Sequence, residues 1–362
     1  MNGVQPQPDL FDRIYGSLAG LALGDALGFP AMYHRTLLGR PKSRARLRIW
    51  TEVGDQHNIL VTQMPYVIAR NPRVLEVCPT DDTEWALFSA QILIKHGRAP
   101  SADVYQRVWQ EEILPLEREI RSGVSERAAM ENFKRGLVPP TTGNDNPHHF
   151  DDGAVRRAVP IGLVHPGEPE AAAAVVERDA SVTSAEDGIW AAQAMAAALA
   201  VGLAGASIPE MIETARRFMP AGSWLAYNTE RALELVPRGT SLADALVNLH
   251  DQFLSPIYNY PNVAPETVPL ALALLSLELE SVQEALLFAN MFHRAAESMP
   301  AWVGALYGVV YGASTIPESW RRWADRCKGI CLPQMAGVSV QEVAGQLGAL
   351  ASGRTEGGAE EA

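Results

Sequence analysis

The sequence predicts an all-α protein, and three observations support this prediction. A short hydroxyl residue followed three positions later by an acid is typical of a helix start, and the pattern recurs at Ser207, Ser241 and Ser281. Apolar residues after such starts recur every three or four positions, which is the spacing of one helix face. Alternating β-branched residues are scarce, and only residues 47–61 are considered for extended structure.

The N-terminal helix is predicted from an apolar stretch that carries Gly16, Gly20 and Gly24. Glycines four positions apart lie on one helix face and allow a second helix to approach closely. The apolar pattern that follows residues 79–84 predicts the next helix.

The later helices are predicted from their first turns. Ser207 and Glu210 form a predicted capping box that opens a helix over residues 209–219. The other two serine starts are each followed by an acid, Asp244 and Glu284 respectively, which favours the positive end of a helix dipole.

The interruptions predict loops and the extent of the domain. Residues 135–152 are rich in Pro, Gly, Asn and Asp, and residues 252–269 contain four prolines, so both are predicted to be loops, the first of them exposed. No shift of composition indicates a linker, which predicts a single domain over residues 1–350. The small and acidic residues 351–362 predict a disordered tail.

Composition bounds the class of protein. The 362 residues include 30 Lys and Arg against 42 Asp and Glu, a formal net charge of −12, which disfavours binding to nucleic acid. The three cysteines cannot form a disulfide framework. Residues 1–12 lack the apolar core of a signal peptide, and the apolar run 189–206 is rich in Ala and Gly. We therefore expect a cytoplasmic protein without a membrane partner.

Three acidic motifs can carry chemistry, and each also has a structural interpretation. Asp25, between Gly24 and Ala26, needs a partner if it is buried. Residues 80–83 (TDDT) offer oxygen ligands for a hard divalent cation, but they could equally cap a helix. Residues 151–154 (DDGA) present backbone amides that could cradle a phosphate or ribose, or form a polar turn before a helix.

Four motifs in a fixed order resemble the ADP-ribosylglycohydrolase family, which includes dinitrogenase-reductase-activating glycohydrolase and the ADP-ribosyl-acceptor hydrolases. They are GDALG at 24–28, TDDT at 80–83, DGAVRRAVPIGL at 152–163 and GALYGVVYGASTIPESW at 304–320. The resemblance spans residues 18–320. It implies an orthogonal helical bundle with a central cleft, where two Mg²⁺ or Mn²⁺ ions assist hydrolysis of an N- or O-glycosidic bond to ADP-ribose.

The resemblance also implies where the chain departs from its family. Met32 stands where the family usually has a Glu near the metal-bound water. The family's metal motif G-G-D-x-D-T, placed by its distance from Gly304, falls on residues 293–298, so that Ala295 and Glu297 stand at the two Asp positions. Met32 and Ala295 therefore stand in place of two acidic residues of the family. We therefore predict at most one Mg²⁺ or Mn²⁺ ion, or none.

The predicted site residues follow from these matches. The predicted metal ligands are Thr80, Asp81, Asp82, Glu297 and Ser298. The predicted catalytic residues are Asp81, Asp82 and Glu297. The predicted substrate-binding residues are Asp25, Asp152, Gly153, Ala154, Ser184, His293 and Arg294. Among them, Ser184 replaces a His found in many members.

Three functions compete. The first, which we predict, is a glycosidase with an altered metal site. It would have weak or altered activity on an ADP-ribosyl, nucleotide or nucleoside-like substrate, either a small ribosylated molecule or an ADP-ribosylated protein. The second is a non-catalytic relative that binds a nucleotide or a partner protein. The third is a metal-independent enzyme that uses His293, Arg294 and Glu297 for different chemistry.

Overall fold

The computed structural model describes residues 8–31, 78–254, 260–292 and 294–353. Within these ranges the chain forms 16 α-helices, and its only β-type pairings are two isolated bridges, Asp151 with Val263 and Arg326 with Ser339. The prediction of an all-α fold is confirmed. The prediction of extended structure over residues 47–61 lies outside the described residues, as does the tail from residue 354. The single domain over residues 1–350 stays a prediction.

The helices, in chain order, are α1 (Leu10–Ala31), α2 (Asp81–His96), α3 (Ala102–Val108), α4 (Val124–Lys134), α5 (Thr141–Asn144), α6 (Gly153–Leu163), α7 (Pro169–Ala180), α8 (Asp187–Leu203), α9 (Ile208–Arg217), α10 (Trp224–Glu234), α11 (Leu242–Asn248), α12 (Ala264–Leu275), α13 (Val282–Ala289), α14 (Met299–Tyr311), α15 (Glu318–Trp323) and α16 (Val340–Ala351). The three starts predicted from serines are confirmed at α9, α11 and α13, and the first has the full capping box.

Helices α1 and α14 run antiparallel with their backbones in direct contact. Gly16 faces Gly308, and Gly20 faces Gly304, so that a Cβ built on Gly20 would lie 2.0 Å from the carbonyl oxygen of Gly304. No side chain larger than hydrogen fits between two backbones at this distance. The close approach predicted for the glycines of α1 is confirmed, and it brings the C-terminal half of α1 beside the start of α14.

The centre of the molecule is built on α6 and α8. Helix α6 packs between α2 and α8, and all of its residues are buried, including Arg156 and Arg157. Two buried guanidinium groups require partners, so α6 imposes polar contacts on the helices around it. The apolar run 189–206 falls largely within α8, which lies inside the bundle. Among the described helices, none has the length and apolar character that crossing a membrane would need.

Both loop predictions need correction. The loop predicted over residues 252–269 is wrong at its end, because α12 begins at Ala264 and continues through Pro269. Proline lacks the N–H that would bond the carbonyl of Pro265, and the Asn228 side chain donates to that oxygen instead, at 2.6 Å. The loop predicted over residues 135–152 contains the short helix α5 and ends in two buried aspartates, so it is exposed only in part.

Candidate active site

Asp25 holds the first turn of α2 in place. Its carboxylate is 1% exposed, and it accepts hydrogen bonds from the backbone N–H groups of Thr80 at 2.7 Å and Thr83 at 3.0 Å. Both threonine hydroxyls also donate to it, that of Thr83 at 2.6 Å. Burial, followed by the charge of Asp81, raises the pKa of Asp25 to about 6. Asp25 therefore caps α2 from a distant helix, and its assignment to substrate binding stays a prediction.

Asp81 and Asp82 share one cationic partner. Nη1 of Arg156 lies 2.5 Å from Oδ2 of Asp81 and 3.2 Å from Oδ1 of Asp82. Nη2 of the same guanidinium donates to Oε1 of the buried Glu126 at 2.7 Å. Burial, followed by the charge of Asp81, raises the pKa of Asp82 well above its usual range, and the charge of Arg156 opposes that rise. One arginine thus joins three carboxylates from α2 and α4.

The turn before α6 contributes two more buried carboxylates. Asp151 accepts from the Gly153 N–H at 2.6 Å and from the Tyr260 hydroxyl at 2.5 Å. Asp152 accepts from the Thr267 hydroxyl at 2.9 Å. Burial is the main cause that raises the pKa of Asp151 to about 6 and that of Asp152 to about 7, and each is raised further by a neighbouring carboxylate. These two acids therefore keep their protons to a higher pH than an ordinary aspartate does.

Gly153 and Ala154 were predicted to cradle a ligand, and the structure places both inside the fold. A Cβ on Gly153 would lie 2.3 Å from Oε1 of Glu126, so the absence of a side chain makes room for that carboxylate. Ala154 is fully buried in the hydrophobic core. Neither residue has a contact with an open surface that would support a role in substrate binding. Their assignment to substrate binding therefore stays a prediction.

Glu297 and Ser298, directly before α14, join the acid cluster through Asn262. The Ser298 hydroxyl donates to Oε2 of Glu297 at 2.7 Å, and the Asn262 side-chain amide donates to both residues. The backbone carbonyl of Asn262 accepts from the Asp152 N–H at 3.1 Å, which ties this segment to the turn before α6. Burial, then the charges of Asp81 and Asp152, raise the pKa of Glu297 to about 8.

The other predicted residues have different surroundings. Ser184 is buried, and its hydroxyl lies 3.1 Å from that of Thr183. Arg294 makes a two-pronged contact with Glu266, from Nε to Oε1 at 2.9 Å and from Nη2 to Oε2 at 3.0 Å. His293 lies outside the described residues, and so does Met32. The structure therefore brings Asp25, residues 80–82, Asp152 and residues 297–298 together, whereas Arg294 faces a different carboxylate.

A group of aromatic rings borders the acid cluster. The His148 ring lies 4.6 Å from that of Tyr260 and 5.6 Å from that of Phe150, and Phe150 lies 5.9 Å from Trp224, each measured between ring centroids. Tyr260 belongs to both groups, because its hydroxyl donates to Asp151.

Sequence reasoning missed this ring group, and it also missed Glu126, Asn262 and the pairing of Arg156. A signal existed for the last of these. Arg156 and Arg157 stand in a helix whose other residues carry no charge, and a charge in such a helix must find a partner.

The predicted metal ligands do not fit a divalent cation as the structure arranges them. Asp81 and Asp82 both accept from Arg156, and the Thr80 hydroxyl donates to Asp25. In the part of the chain that the structure describes, no group of three or more His, Cys, Asp or Glu side chains is placed to hold an ion. Oxygen donors are the right chemistry for Mg²⁺, but here a guanidinium already occupies the two carboxylates.

Comparison with known proteins agrees with this fold. The family model for ADP-ribosylglycohydrolase matches residues 6–353, so the chain belongs to the ADP-ribosylglycohydrolase family, whose members are generally hydrolases of glycosyl bonds. A solved structure titled "ADP-ribosylglycohydrolase-related protein complex" is similar in fold, with a TM-score of 0.62 at 22% identity, over 96% of this chain and 99% of that chain. A search of curated proteins gave no match.

Proposed function

We propose that this protein hydrolyses the glycosidic bond of an ADP-ribosyl, nucleotide or nucleoside-like compound, either a small ribosylated molecule or an ADP-ribosylated protein. Membership of the family over nearly the whole chain supports the reaction class. The observation that carries the proposal is the position of Glu297. Burial and the nearby charges of Asp81 and Asp152 raise the pKa of this carboxyl group to about 8.

Hydrolysis of a glycosidic bond needs an acid that protonates the leaving group and a base that activates water. Glu297 holds its proton at neutral pH because of its raised pKa, and this suits it to be the acid. Asp81 is 20% exposed and is oriented by Arg156, which suits it to be the base. In this reaction the Glu297 proton passes to the leaving atom as the bond between that atom and the anomeric carbon breaks. The water oxygen bonds to the anomeric carbon, and the proton released by that water passes to Asp81.

The ring group formed by His148, Phe150, Tyr260 and Trp224 supports a nucleobase as part of the substrate. Aromatic faces stack on the flat surface of a base, and this contact tolerates different bases. The ring group begins three residues before Asp151, and its Tyr260 donates to that carboxylate, so a stacked base would place its ribose toward the carboxylates.

A non-catalytic relative that binds the same class of ligand is the second candidate. The contact of Arg156 with both Asp81 and Asp82 favours it, because a carboxylate held in an ion pair is a weaker base toward water. The third prediction, a metal-independent enzyme with different chemistry, also uses Glu297, together with His293 and Arg294.

Release of ADP-ribose from peptides modified on arginine or serine tests the proposal, alongside calorimetric titration with ADP-ribose. We expect binding and slow release by the wild type, and binding without release by Glu297→Gln. Binding without release by the wild type would favour the second candidate. An absence of binding would contradict both.

A further inference from the structure

We infer that the guanidinium of Arg156 takes the place of a divalent cation between Asp81 and Asp82, so that this chain holds its acid cluster together with its own side chain. Arg156 then supplies the positive charge that holds the carboxylates together, whether or not the site hydrolyses a glycosidic bond.

The position of Nη1 supports the inference. A single nitrogen lies within 3.2 Å of a carboxylate oxygen of both aspartates, which is a bridging position. Nη2 extends the same plane to Glu126 at 2.7 Å. Asp81, Asp82 and Glu126 would repel one another without a cation among them, and a guanidinium presents its donors in a planar fork that suits such carboxylates.

The guanidinium is held where it is by its surroundings. Its side chain is 3% exposed, it belongs to a helix in which all residues are buried, and it lies 5.9 Å from the centroid of the Trp85 ring. Its Nε has no hydrogen-bond partner among the described residues, so the Nη contacts and the ring fix its orientation. Leaving the cluster would carry a permanent charge through the core.

The neighbouring arginine does not share the contact that Arg156 makes with Asp81 and Asp82. Arg157 faces elsewhere, with Nε 2.8 Å from Asp179 and Nη1 3.1 Å from the Gly153 carbonyl. Its distance of 3.5 Å from Glu126 is the longest of the ion-pair contacts that the two arginines make. Of these two arginines, Arg156 is the one that reaches the two aspartates of the predicted metal site.

A divalent ion and this guanidinium compete for the same oxygens. Mg²⁺ and Mn²⁺ need direct contact with charged carboxylate oxygens, and a guanidinium does not lose its charge in a protein. Removing the charge of Arg156 while keeping an unbranched side chain should therefore create a cation site that the wild type lacks.

The test is Mn²⁺ binding by equilibrium dialysis after chelation and desalting, together with the melting temperature with and without Mn²⁺. We expect no stoichiometric Mn²⁺ and no shift for the wild type and for Arg156→Lys, which keeps the charge. Arg156→Met should bind about one equivalent and melt at a higher temperature when Mn²⁺ is present, since a ligand bound only by the folded state stabilises it.

Arg294→Gln is the matched control, because it removes an equal charge from an arginine that pairs with Glu266 and not with the aspartates. We expect it to bind no Mn²⁺. Stoichiometric Mn²⁺ binding by the wild type would overturn the inference. So would an Arg156→Met variant that folds but binds no Mn²⁺, or an Arg294→Gln variant that binds as much Mn²⁺ as Arg156→Met. If Arg156→Met does not fold, the wild-type titration decides alone. None of these readouts uses catalytic activity, so they are separate from the test of the proposed function.

Discussion

The carboxylate of Asp25 accepts a hydrogen bond from the Thr83 hydroxyl at 2.6 Å, across 58 positions of the chain. This contact links the C-terminal half of α1 to the first turn of α2, which carries Asp81 and Asp82. Because α1 is in backbone contact with α14, the same helix also sets the position of the segment that ends in Ser298. One helix therefore places both halves of the acid cluster.

Asp25→Ala should lower the free energy of unfolding by about 3 kcal/mol, because it leaves two backbone N–H groups and two hydroxyls without their buried acceptor. Asp25→Asn should cost less than half as much. Its amide oxygen can keep the contacts with Thr83, and its amide nitrogen can donate to the Thr80 hydroxyl. Urea denaturation measures both. Asp187→Asn, where a single backbone N–H is accepted from Leu225, is the control, and equal costs for the two Asp25 variants would contradict this account.

Gly20→Ala should destabilise the protein by at least about 3 kcal/mol, since the new methyl would lie 2.0 Å from a backbone oxygen that cannot move by rotating a side chain. Gly345→Ala, in α16, is the matched control. The nearest atom to its Cβ is 4.0 Å away, and alanine favours a helix by about 1 kcal/mol over glycine. Thermal melting compares the two, and a similar melting temperature for both variants would show that α1 and α14 tolerate separation.

Asp152→Asn should become more stable relative to the wild type as the pH rises from about 4 to about 7. The wild-type pKa of about 7 means that folded Asp152 keeps a proton that the unfolded chain, with its ordinary pKa near 4, has released. As the pH rises across that window the wild type therefore loses stability from this group, on the order of 4 kcal/mol in total for a difference of about 3 pKa units. Asparagine does not titrate, and its oxygen can still accept from Thr267.

Denaturation of both proteins at about pH 5 and about pH 8 measures the effect as the change in their stability difference. Groups far from the acid cluster titrate equally in both chains, so that difference reports Asp152 together with its effect on the neighbouring carboxyl of Glu297. A pH-independent difference would mean that Asp152 has an ordinary pKa in the folded protein.

Glu297→Gln should reduce ADP-ribose release by about 10²-fold or more at neutral pH, because glutamine cannot donate the proton that the leaving group needs. Wild-type release should also fall above about pH 8, where Glu297 loses that proton. Steady-state rates across pH measure both effects. Glu186→Gln, at an exposed side chain, should leave the rates unchanged. A wild-type profile that stays flat beyond pH 8 would assign the acid to another group.

Local features of the fold were predictable, whereas features that depend on distant partners were not. The capping serines of α9, α11 and α13 act on backbone or side-chain groups three residues away, so their signal lies within a few neighbouring residues. Pro269 indicated a loop by the same local reasoning. It lies inside α12 because the side chain of Asn228, from α10, satisfies the carbonyl that proline leaves free.

The candidate site was predictable as a set of motifs and not as a set of contacts. Residues 80–82 were identified from their acids and hydroxyls and residues 297–298 from the resemblance to the family's metal motif, and the structure does bring them together. Glu84 directly follows the TDDT motif, yet its carboxylate accepts from the backbone N–H groups of residues 330–332 and supports the fold there. Asn262 carries no signal of its own, since its role depends on reaching both Asp152 and Glu297.

The sequence by itself determined the helical class, the ordered motifs of the ADP-ribosylglycohydrolase family and the close approach of α1, because periodicity, capping and glycine spacing act over a few residues. Only the tertiary structure decided what the carboxylates face. Whether Asp81 and Asp82 meet a metal ion or Arg156 depends on the packing of α6 against α2, which brings together residues 74 and 75 positions apart. Charge interactions depend on distance in space, and the order of residues along the chain does not specify that distance.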